Sequence, residues 1–153
     1  MPGIVLVTTV PAPVERVFDL SLDVGLHVRT ATGTRERIVG GRTEGLLAMG
    51  EEVTWSARHF LLRWEMTVRI TGHERPRWFR DEMVEGPFAS FRHDHFFESV
   101  EGGTRVQDEI TFRMRGGSPG RLVGSLLVAP HFKRFVERRN RLLGEVAAGR
   151  SDE

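Results

Sequence analysis

The side chains best suited to chemistry lie in two neighbouring runs, Phe91-Arg92-His93-Asp94-His95-Phe96-Phe97-Glu98 and Val106-Gln107-Asp108-Glu109-Ile110-Thr111-Phe112. Gly102-Gly103-Thr104 separates them, and both alternate apolar with polar residues, the pattern of an antiparallel hairpin. Successive strand side chains point to opposite faces, so Phe91, His93, His95 and Phe97 share a side. On the partner strand Thr104, Val106, Asp108, Ile110, Phe112 and Met114 share a side. Apolar faces carrying His93, His95 and Asp108 suit a lined cavity better than a solid core. Three chemistries are open to this set. A histidine oriented by Asp108 or Asp81 can serve as a general acid–base near neutral pH. His93 and His95, with Asp108 opposite and His59 and Asp81 on neighbouring strands, offer zinc or iron nitrogen and oxygen ligands. Alternatively the histidines donate to carboxylates or to pocket water. Residues two apart on a strand are separated by roughly 6–7 Å along it, so convergence on an ion needs deliberate tilting. Hydrogen bonding needs none and satisfies the buried polar groups. We therefore expect no metal and no cofactor.

The bulk properties bound these readings. The 153 residues, 39% hydrophobic and 28% charged, suit one globular domain, taken as 1–149 with a tail at 150–153. There is no cysteine, which removes disulfides, thiol nucleophiles and zinc–thiolate sites. The opening Met1-Pro2-Gly3-Ile4-Val5-Leu6-Val7 lacks a basic segment, and no apolar run is long enough to cross a bilayer. The expectations are no membrane insertion and a cytoplasmic location. Basic and acidic residues, 22 and 21, interleave, so no nucleic-acid partner is expected. The dense basic group Lys133, Arg134, Arg138, Arg139 and Arg141 reads as a solvated helix face.

Elements must position the polar set. Ile4 to Val10 reads as a strand, and Pro13 as the start of a short helix carrying Val14, Val17 and Phe18. Asp23 to Ala31 is a second short helix, in which His27 is a surface or lid residue. Arg35 to Val39 is a strand and Gly40-Gly41 a turn. Glu51, Val53, Trp55, Ala57 and His59 share a strand face, with Glu51 at the cavity or on its rim. Leu62, Trp64, Met66, Val68 and Ile70 point inward on the next strand. Phe79, Asp81 and Met83 share a face of the strand from Trp78 to Val84, where Asp81 can also pair with Arg58 or Arg80. The C-terminal stripe Leu122, Leu126, Ala129, Phe132, Val136, Arg139, Leu143 and Val146, widened by Val123, Leu127 and Phe135, is helical. Ser118-Pro119 starts it, and Pro130 should kink or split it.

One strand, two short helices, six strands and a long helix form an α+β chain. An antiparallel sheet of six to seven strands must cover its apolar face, and the C-terminal helix is the element large enough to do so. The segments Pro11-Ala12-Pro13-Val14-Glu15-Arg16-Val17-Phe18 and Gly102-Gly103-Thr104-Arg105-Val106 with Asp108, and the final helix, resemble the START-like or helix-grip (SRPBCC) superfamily. The likeness is to its bacterial polyketide cyclase/dehydrase and lipid-transport-like branch and spans nearly the whole chain. It implies a curved sheet gripping a helix, with a pocket between them for a small hydrophobic molecule, aromatic or polyketide-like. It does not carry over a cyclase reaction, because no catalytic motif matches here residue by residue. Leu126, Phe132 and Phe135 would form the helical wall. Trp55, Trp64, Met66, Phe79, Phe91, Phe97 and Phe112 are core residues that can also stack on a flat ligand. Two functions stay open: a ligand-binding or carrier domain, and a cyclase- or dehydratase-type enzyme using His93, His95 and Asp108. The sequence leaves the ligand and the oligomeric state undetermined.

Overall fold

A computed structural model describes residues 3–30, 36–59 and 62–149. Strand β1 (Gly3–Val10) is followed by helices α1 (Val14–Ser21) and α2 (Val24–Thr30). Strands β2 (Arg37–Gly41), β3 (Glu52–His59), β4 (Leu62–Glu74), β5 (Trp78–Glu85), β6 (Ser90–Val100) and β7 (Gly103–Arg113) come next. Helix α3 (Gly117–Val123) then runs through a π-helical turn (Gly124–Val128) into α4 (Ala129–Ala147). The strands form one antiparallel sheet in the order β1-β7-β6-β5-β4-β3-β2. This is the helix-grip architecture expected above.

Local chemistry explains the elements. Pro13 precedes the first turn of α1, where a missing N–H leaves no bond unmade. The Asp23 carboxylate accepts from the Leu26 amide at 3.0 Å and starts α2. The two segments that carry the family resemblance meet each other. Gly103 (φ +149°) lies so close to the β1–α1 connection that a Cβ would fall 2.1 Å from the Val10 carbonyl oxygen. The buried Thr104 hydroxyl donates to the Ala12 carbonyl at 2.7 Å. Arg16 Nε donates to the Ala147 carbonyl at 2.9 Å, so α1 also satisfies the end of α4.

Two apolar clusters fill the grip. One gathers Val17 and Phe18 of α1 with Phe79 and Phe97 of the sheet, while the other gathers Phe88, Phe91, Ile110 and Phe112 with Phe135 and Val136 of α4.

Three expectations need correction. Gly40-Gly41 does not form a turn but continues β2 past a register shift between Ile38 and Gly40. Gly41 takes φ +74°, where a Cβ would meet the Glu52 carbonyl oxygen at 2.3 Å. Leu62, at the outer end of β4, is 58% exposed, because the grip closes only from Trp64 onward. Ser118 lies inside α3, and Gly116 in the left-handed region occupies the cap position instead.

Pro130 shapes the C-terminal element most. It has no N–H for the preceding turn and its ring crowds the carbonyl four residues back, so the helix widens to a π turn immediately before it. The apolar stripe is thereby broken. Phe135, Val136 and Leu143 are buried against the sheet, whereas Leu122 and Leu126 are 61% and 63% exposed. Among the described residues no helix is long and apolar enough to cross a membrane.

Candidate functional site

Between the sheet and the C-terminal helices lies a cavity of about 410 Å³. Its walls are mostly apolar: Trp55, Ala57, Trp64, Met66 and Val68 from β3 and β4, Phe88 and Phe91 beside and on β6, and Phe132, Phe135 and Val136 from α4. Among the described residues its polar lining is His27, Glu36, His59, His93 and Arg139. Of the residues singled out from sequence, Trp55, His59, Trp64, Met66, Phe91, His93, Phe132 and Phe135 stand on this wall.

The others stand elsewhere. His95 and Asp108 border a separate space of about 20 Å³, large enough for one water, with Asn140 and Leu143. Phe79 and Phe97 pack edge-on against Phe18, at 5.6 and 5.2 Å between ring centres, and belong to the solid core beneath α1. Phe112, 1% exposed, is covered by Phe88 and does not reach the cavity. Asp81 is turned toward His95. Leu126 lies on the outer side of the helix, as the π turn dictates. Glu51 is outside altogether, paired with Arg42 at 2.8 Å.

The inward histidines and acids form one buried network around Asp108. Its Oδ1 receives His93 Nε2 at 2.7 Å and lies 3.2 Å from His95 Nδ1, and its Oδ2 accepts from Asn140 Nδ2 at 2.6 Å. His95 Nε2 faces Asp81 Oδ2 at 2.8 Å. Burial works to lower the His95 pKa, but the hydrogen bonds and charges of Asp108 and Asp81 outweigh it and hold it above its ordinary value. Both ring nitrogens then donate, one to each carboxylate. The stacked His93 ring, 3.7 Å away, is driven the other way by burial and by the charge of His95. Burial alone would raise the Asp108 carboxyl, yet the bonds from His93 and His95 keep it well below the usual carboxylate range. With Nε2 committed to Asp108, His93 Nδ1 is left as an acceptor on a residue of the cavity wall. The donor atoms of Asp81, His93 and His95 lie within 4.8 Å of one another, a spacing open to a metal ion. Their present partners are each other and Asp108.

A second polar group also stands on the cavity wall. Arg139 donates to His27 Nδ1 at 3.2 Å, which directs His27 Nε2 at the Glu36 carboxylate 2.5 Å away. That contact is short, and among the described residues Glu36 Oε1 has no second donor. Burial would raise the Glu36 pKa, but interaction with His27, including its hydrogen bond, and with Arg139 and His59 holds it below the ordinary value. Trp55 stacks on His27 at 4.1 Å. Nearer the helix, His59 Nδ1 meets His131 Nε2 at 2.8 Å, and the His59 carbonyl accepts from Trp64 Nε1. Burial, with the neighbouring His131, pushes the His59 pKa down to about 4.

Glu36 and Arg139 were not anticipated as site residues. Glu36 sits between Arg35 and Arg37, where nothing distinguishes it from a surface acid. Arg139 did leave a signal, as a charged residue at an apolar position of the helical stripe. Asn140 follows it and holds Asp108.

The chain belongs to the family described as polyketide cyclase/dehydrase and lipid transport, whose model matches residues 10–137. Among solved structures it is similar to the protein TTHA0849 from Thermus thermophilus, with 21% identity, TM-score 0.79, and 99% and 100% of the two chains covered. A START superfamily protein from Mycobacterium smegmatis superposes at 10% identity and TM-score 0.73, over 94% of this chain and 98% of that one. The protein Ara h 8.0201 does so at 13% and 0.71, over 97% and 98%. No curated protein matches the sequence. At these identities the structural likenesses establish the fold.

Proposed function

We propose that this chain is a binding domain for a small, mainly apolar molecule that carries a few polar groups. The observation behind the proposal is the cavity of about 410 Å³, with aromatic and aliphatic walls and a few polar side chains, His27, Glu36, His59, His93 and Arg139. Cavities of about 300–1,000 Å³ with this division of apolar wall and few convergent polar groups are the usual form of small-molecule sites. Family membership agrees with the reading. Flat aromatic ligands suit it best, since Trp55, Trp64, Phe88, Phe91 and Phe132 all present rings to the space. Native mass spectrometry of protein purified from its own host tests it. The expected result is a non-covalent adduct in the small-molecule mass range, released on unfolding. Uniformly empty protein that also fails to take up any apolar compound would oppose the reading.

A second reading, acid–base catalysis, is favoured by one observation: Asp108 holds a cavity-lining His93 by Nε2 and leaves Nδ1 as the base. His95 would then act through Asp108, by fixing its charge, and not on a substrate.

A further inference from the structure

The C-terminal helix before Pro130 is apolar on both sides. Val123 and Leu127 line the cavity, yet they are 44% and 58% exposed. Leu122 and Leu126, one helical turn apart, face outward at 61% and 63% exposure. This segment is therefore a thin wall between cavity and exterior. Within it, α3 packs chiefly against the π turn that follows and not against the sheet.

The stretch of chain that contains this wall carries charge of one sign. From Ile110 to Val136 the chain carries Arg113, Arg115, Arg121, Lys133 and Arg134, all exposed, and no Asp or Glu. The rest of the chain mixes basic with acidic residues, so this run departs from its background. Glu85, beside the Gly86 carbonyl that accepts from Arg115, is an acidic neighbour on the rim. Exposed leucines on a short helical segment, with arginine and lysine on it and on the adjoining chain to either side, are the composition of elements that lie in the headgroup layer of an anionic bilayer. A protein partner of matching shape would bury the leucines equally well, but five cations without an internal acid match a uniformly anionic surface better.

We propose that α3 and the π turn form a docking surface for anionic lipid bilayers. Leu122 and Leu126 enter the interfacial layer, and the five basic side chains contact the phosphate headgroups. Docking in this way places the thin wall of the cavity, Val123 and Leu127, at the membrane, where an apolar ligand would have the shortest path between bilayer and protein. The surface does not depend on the ligand reading, and the two are measured separately.

The test is co-sedimentation of the full chain with vesicles of phosphatidylcholine alone or mixed with phosphatidylglycerol, at low and high salt. Binding is expected to the mixed vesicles and to weaken as salt screens the charges. Each of Arg121→Gln and Lys133→Gln should lower it about fivefold, from the roughly 1 kcal/mol contributed per basic residue near such a surface. The double variant Leu122→Asp, Leu126→Asp should lose it while still taking up an apolar fluorescent dye in the cavity, since neither leucine lines it. Equal binding to neutral and anionic vesicles, or none to either, would overturn the proposal. So would sedimentation showing a wild-type dimer that the double variant converts to monomer, which would assign the leucines to a second copy of the chain.

Discussion

His59 shows how far a single buried side chain sets the behaviour of this molecule. Its pKa is pushed down to about 4 from an ordinary 6.5, first by burial and then by His131. The fold therefore prefers the neutral ring, and as pH falls below 6.5 the unfolded chain takes up the proton first. The stability this group supplies is complete above 6.5 and is lost progressively down to about 4. His93 and His131, also shifted down, act in the same sense. His95, shifted up, has the opposite sign: its contribution is present below 6.5 and disappears as pH rises through its folded pKa. Asp81 and Asp108 lose theirs only below 3.8. Thermal melts of the wild type should show falling stability between pH 6.5 and 4, and His59→Phe should flatten that slope. An unchanged slope would place the proton uptake elsewhere. The pairing of histidines with carboxylates was legible in the sequence because alternation on two strands puts His93, His95 and Asp108 on facing positions. The distribution between cavity and network was not, since it depends on side-chain direction. His93 faces the cavity, whereas His95 lies behind it between two carboxylates.

At the scale of elements, α1 is held to the sheet through Phe18, which is fully buried and meets Phe79, Phe97 and His73 edge-on. Replacing Phe18 with Ala removes a large ring from a packed site and should cost about 3–5 kcal/mol in urea unfolding. A cost under about 1 kcal/mol would mean that α1 is not part of the cooperative core. The strands were largely readable because period-two alternation survives burial on one face, as in Val53, Trp55, Ala57 and His59. The C-terminal helix was readable in extent but not in facing. Leu122 and Leu126 fit the apolar stripe by spacing, and the wider turn before Pro130 rotates them away from it. A periodicity count assumes one helical repeat throughout, and proline breaks that assumption. Glu36 escaped notice for a different reason: it immediately precedes β2, outside the alternating pattern of any strand.

At the scale of the whole molecule, a seven-stranded sheet closes on one interrupted helix and leaves a cavity with mostly apolar walls and a few polar side chains. The packed core lies on either side of it, beneath α1 and around Phe88 and Phe112, so the cavity is a gap the fold retains without losing its support. Ligand binding in that gap is the central claim, and titration of the folded protein with an apolar fluorescent dye tests it most directly. Ala57, small and buried on the cavity wall, gives the control, because Ala57→Trp fills the space from within. Overpacking there should cost about 1–3 kcal/mol and leave the protein folded. The account predicts saturable, one-to-one dye binding by the wild type and at least a tenfold loss in Ala57→Trp, with circular dichroism unchanged. No saturable binding, or binding that Ala57→Trp leaves intact, would contradict it.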